Sequence, residues 1–137
     1  AFLGAVIDVG NVYVHHRLVQ NAADAAASAA GMVLYQEGSS VAISTAYYYA
    51  TQYGYDNDGV TNIVQVSVPP TSGTYAGDSR YIQVQIQDNL SPIFAAIVWN
   101  GTFRVSARAT AGYAVTGLGP PVIVLEENDD QTMKVTG

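Results

Sequence analysis

Residues 6–30, VIDVGNVYVHHRLVQNAADAAASAA (Val6 to Ala30), contain no proline and change character along one unbroken run. The run opens apolar, takes on an acid at Asp8, turns polar between Asn11 and Asn21, and ends as nearly pure alanine. Extended in both directions, residues 1 to about 37 stay proline-free and rich in Ala, Leu, Val and Gln. This predicts one long helix, closed by the Gly-Ser-Ser stretch at Gly38 to Ser40. At ~1.5 Å per residue it would run roughly 50 Å, more than a domain of this size needs for its own core. Something else must cover part of it, either lipid or other protein.

The 137 residues suffice for one domain with a modest core. Hydrophobic residues make up 49% and charged residues only 12%, against roughly 25% charged in ordinary soluble domains. The surface is therefore polar through Gln, Asn, Ser, Thr and Tyr, which suits a protein packed against copies of itself or working outside the cell. A net charge of −6 with five basic residues argues against nucleic acid, and only Arg104 and Arg108 stand near each other. Without cysteine there is no disulfide framework, thiolate chemistry or Cys-based metal site. The chain begins without Met inside an apolar run, and a processed or trimmed chain is expected. From Ala1 to Val14 that run, broken by Asp8 and Asn11, falls short of the ~20 residues needed to cross a bilayer. Either the first half of a membrane helix precedes it, or it packs against protein.

Past the first helix, AISTAYYYATQYGY (Ala42 to Tyr55) suggests a second, short helix with an aromatic face, followed by a turn at Asp56 to Gly59. The period then changes to two. Val64, Val66 and Val68 share one face. Ile82, Val84 and Ile86 oppose Tyr81, Gln83, Gln85 and Gln87, and Phe103, Val105, Ala107 and Ala109 oppose Arg104, Ser106, Arg108 and Thr110. This is the alternation of half-buried antiparallel strands. SPIFAAIVW (Ser91 to Trp99) is expected to form one or two helical turns, VIVLEEN a further strand, and the tail from Asp129 another. The expected fold is α+β, with a long N-terminal helix over residues 1–37 and a mostly antiparallel β-rich globular domain over residues 38–137.

Asp8 sits in an apolar helix, where an unpaired ionised acid is unfavourable. It either solvates near a membrane boundary or pairs with a neighbouring subunit and sets helix register. His15 and His16 are adjacent and point in different directions, so metal binding, which on a helix uses His at i and i+4, is not expected. Arg17, Asn21, Asp24 and Ser28 fall on one stripe, as solvated surface or as a polar seam between helices. The small residues of AADAAASAAG allow close approach of another backbone or simply favour helix beneath a sheet. DNDG (Asp56 to Gly59) is half of a calcium-loop pattern, but no acid closes a twelve-residue loop, and a plain turn is the preferred reading. Asn100, in the sequon NGT, is a candidate N-glycosylation site, and Asn89 is a poorer one because Pro92 follows. With no nucleophile elbow, HExxH, phosphate loop or paired carboxylates, neither catalysis nor a cofactor is expected.

The N-terminal pattern resembles that of the TadE/TadG-like proteins of tight-adherence pilus systems. The residues that carry the likeness are Asp8 and Gly10, Tyr13, His15 to Arg17, and the string from Gln20 through Asp24. The apolar run before Asp8 is shorter than in that family, which has a full membrane helix there. The resemblance implies a pilin-like exported protein, inserted in the inner or cytoplasmic membrane and then built into an extracellular filament at the cell surface. It implies a homo-oligomeric helical polymer that serves adhesion or surface motility and meets a surface or host ligand. The subunit-packing helix would use Phe2, Leu3, Gly4, Val6, Ile7, Asp8, Gly10, Tyr13, Arg17, Asn21 and Asp24. The alternative is a membrane-anchored assembly accessory, or a minor tip adhesin that does not form the filament body.

Overall fold

A computed structural model of the chain describes residues 2–91, 101–114, 122–128 and 134–136. Helix α1 spans Phe2–Glu37 and helix α2 spans Ser39–Gln52. Between them stands Gly38 alone, at φ +91° and ψ 179°. That region of backbone space is open essentially to glycine only, so one residue suffices to stop α1 and redirect the chain. The Gly38 carbonyl then accepts from Ala42 N–H and starts α2. At its far end α2 closes with Tyr55 N–H donating to Ala50 O and Gly54 N–H to Thr51 O, both at 2.9 Å, a Schellman pair that satisfies the last carbonyls.

Among the described residues five strands follow: β1 (Asn62–Ser67), β2 (Tyr81–Leu90), β3 (Thr102–Ala114), β4 (Val122–Asn128) and β5 (Lys134–Thr136). The sheet runs β1-β2-β3-β4, with β5 also on β3, and every pairing is antiparallel. Register pairs Val64 with Ile86 and Ile86 with Ala107, so the alternation read from the sequence lines up across three strands. The long helix followed by an antiparallel sheet agrees with the expected α+β class. The expected helix at 91–99 and the sequon at Asn100 lie outside the described residues, apart from Ser91.

Alanine dominates the core. Helix α1 buries Val19, Ala22, Ala23, Ala26, Ala27, Ala30 and Leu34, α2 buries Ala42, Ala46 and Ala50, and β3 contributes Ala107, Ala109 and Ala111. Such short side chains bring helix and sheet close together: a methyl placed on Gly31 would sit 3.0 Å from Ala111 Cβ. α2 packs along α1 and also touches β1. Its buried face is the alanine face, while Tyr48, Tyr49 and Tyr53 point outward.

The opposite face of the sheet is not left bare. Residues from the β1–β2 connection fold over it, burying Gln83 to 3% exposure. The Gln83 amide donates to Ser72 O (3.0 Å) and Thr110 Oγ1 (3.3 Å), and accepts from Thr71 Oγ1 (3.1 Å). Arg108 donates to Ser72 Oγ at 2.7 Å, and Tyr75 stacks on Tyr81 with centroids 3.8 Å apart. The Tyr- and Gln-rich face expected to be half exposed is, at this end, covered by the chain itself.

Candidate functional site

The helix α1 has two unlike faces. Along the inner one, Asp8, Val12, Val19, Ala22, Ala23, Ala26, Ala27 and Ala30 are buried. Asp8 is 3% exposed and interacts within its own chain. Further along, His15 Nδ1 lies 3.1 Å from Asp88 Oδ2 at the end of β2. That contact ties the middle of α1 to the sheet. Beside it Tyr55 is held neutral, its phenol pushed up to about 12 by burial and then by the Asp88 carboxylate.

Along the outer face, Leu3, Val6, Ile7, Val9, Tyr13, Val14 and Leu18 are exposed, with Leu3 at 77%, Val9 at 66% and Tyr13 at 63%. Gly10 lies among them with open space where a Cβ would be. Arg17 and Asn21 continue the same face, both exposed, and Asp24 is half-buried at its edge. Monomeric soluble proteins rarely leave so contiguous an apolar surface. Among the described residues no helix is long and apolar enough to cross a membrane.

Of the residues predicted from sequence for subunit packing, Leu3, Val6, Ile7, Gly10, Tyr13, Arg17 and Asn21 come together on this outer face. Asp8 stands on the opposite, inner side. Phe2 opens the helix, and Gly4 is half-buried. Sequence reasoning missed Val14 and Leu18, whose signal was the continuation of the same helical spacing, and missed Asp88 as the partner of His15. The DNDG segment is a closed turn: Asp58 accepts from the N–H groups of Val60, Thr61 and Asn62 and from the Thr61 hydroxyl. Those donors hold its carboxyl far below the usual range.

A long helix, bare along one apolar face and roofed by an antiparallel sheet on the other, defines a helix-led α+β protein. Residues 1–33 match the family model Tad, described as "Putative Flp pilus-assembly TadE/G-like". The first quarter of the chain is thus similar to the TadE/G-like pilus-assembly family. No curated protein and no solved structure matches it.

Proposed function

We propose that this chain is a structural subunit of an extracellular Tad-type pilus, non-catalytic, polymerising through the outer face of α1 and serving adhesion or surface motility. The observation behind this reading is the exposed apolar face from Leu3 to Leu18, within the segment that matches the pilus-assembly family. In the membrane before assembly, that face would meet lipid. In a filament, it would meet the helices of other copies, which small residues such as Gly10 allow to approach closely. The sheet domain then decorates the outside.

Peptide mass spectrometry on filaments sheared from the producing cells tests the proposal. Abundance of this chain in the filament fraction supports it. A second reading, a membrane-anchored assembly accessory or minor tip adhesin, draws on the family description, which speaks of pilus assembly and not of the filament body. Scarcity in filaments with abundance in membranes would favour that second reading.

A further inference from the structure

The outer face of α1 follows a tighter rule than amphipathicity. Leu3, Ile7, Gly10, Val14, Arg17, Asn21, Asp24 and Ser28 are spaced alternately by four and three residues. All are exposed from Leu3 through Asn21, and Asp24 and Ser28 are half-buried. An alternating four–three spacing is the 3.5-residue seam along which helices supercoil about one another. The seam is apolar through Val14, with a glycine at its third position, and then carries one cation and one anion, Arg17 and Asp24. These two stand exactly one heptad apart.

That charge spacing selects among the ways two copies could meet. In a parallel, in-register pair, Arg17 would face Arg17 and Asp24 would face Asp24, two like-charge layers in one seam. An antiparallel pair could match both charges, but it would set Ile7, Gly10 and Val14 against the stretch from Ala27 to Leu34 of the other copy, where Ala27, Gly31 and Leu34 are already buried within their own chain. A parallel pair shifted by one heptad, ~10.5 Å along the axis, keeps the seam layers matched. It sets Ile7 of one copy against Val14 of the next, Leu3 against the open space at Gly10, and Arg17 against Asp24. Gln20 donates to Asp24 Oδ1 at 2.9 Å. Asp24 interacts further within its own chain, and a carboxylate whose two oxygens offer about four acceptor sites can take part in a shared network of donors.

We infer that α1 of one copy packs in parallel against α1 of the next, displaced by one heptad, with Arg17 of one copy paired to Asp24 of its neighbour. The inference rests on the filament reading above and supplies its geometry. A shifted contact uses different residues on the two partners, so it does not close on itself and propagates into an open polymer.

The cysteine-free sequence makes the test direct. The full-length variant Arg17→Cys with Asp24→Cys is produced in cells, oxidised, and compared with each single variant on denaturing gels of the sheared fraction. A ladder of covalent multimers from the double variant, with no cross-link from either single one, is expected. Disulfide dimers from a single variant would mean in-register packing and overturn the shift. Filaments without any cross-link in the double variant would also overturn it while leaving polymerisation intact. If the unmodified chain is absent from filaments altogether, the filament reading itself fails. Charge exchange provides a second measurement. Arg17→Asp or Asp24→Arg alone should lower filament yield roughly tenfold through like-charge contact, and the double exchange should restore it. Equal yields in all three variants would overturn the pairing.

Discussion

Gly112 is paired across the sheet with Tyr81, whose ring lies over the space a side chain would occupy. A Cβ there would stand 2.3 Å from Tyr81 Cδ1 and 2.5 Å from the Arg80 carbonyl oxygen. The ring could turn aside, but the carbonyl belongs to the backbone, so Gly112→Ala should destabilise the fold by about 1–3 kcal/mol. Urea unfolding would read this as a lower midpoint with an unchanged slope. Tyr55 makes a different prediction. Below pH 10 its phenol is protonated whether the chain is folded or not. Between 10 and about 12 the unfolded chain ionises first, so stability falls as pH rises through that window. Tyr55→Phe should show a shallower alkaline loss of stability than the parent chain, measured by thermal melts across the same range.

At the scale of elements, the joint at Gly38 carries both helices. Nothing lies within 4 Å of a Cβ added there, so the effect of Gly38→Ala is one of backbone conformation alone. It should destabilise by about 1–3 kcal/mol, visible as a lower thermal midpoint with the same circular dichroism at low temperature. This joint was legible, because a glycine followed by two serines interrupts an otherwise continuous helical run. The strands were legible as well, since Val64, Ile82 through Ile86 and Val105 through Ala109 alternate without exception. The packing of α2 was harder to read. Its five nearby tyrosines outweigh Ala42, Ala46 and Ala50 in any count of hydrophobicity, yet the alanines are buried because the neighbouring α1 surface is itself alanine and leaves no room for rings. The burial of Gln83 was not legible at all. It depends on Thr71 and Ser72 crossing the sheet, and no periodicity in β2 records what a distant loop covers.

For the whole molecule, the inner face of α1 carries the fold, while the proposed assembly surface lies on its outer face. Deleting residues 1–20 would remove Val12 and Val19, both buried, and the His15–Asp88 tie, so loss of filaments would be confounded with loss of structure. Substituting on the outer face avoids this. Ile7→Glu with Val14→Glu should leave urea stability within about 0.5 kcal/mol of the parent while sharply reducing the chain in the sheared fraction. Val19→Glu, on the inner face, should instead unfold the chain. If the outer-face pair left assembly untouched, polymerisation through this surface would be refuted. The seam residues Leu3, Ile7, Gly10 and Arg17 were legible from sequence. The inward turn of Asp8 was not, because one acid in an apolar helix carries no mark of which side the sheet will occupy.

The alanine string at Ala22 to Ala30 has one more implication. Its methyl groups measure a clearance, the gap at which a helix can lie on a sheet whose own facing residues are Ala107, Ala109 and Ala111. A larger side chain at the buried positions Ala22, Ala23, Ala26, Ala27 or Ala30 wedges the packed layers apart, so these positions are held by fit within a single molecule. This alanine lettering therefore reports how the chain closes on itself. The proposed assembly surface lies on the other side, in exposed residues from Leu3 to Leu18 that can be changed for a new partner without disturbing the fold.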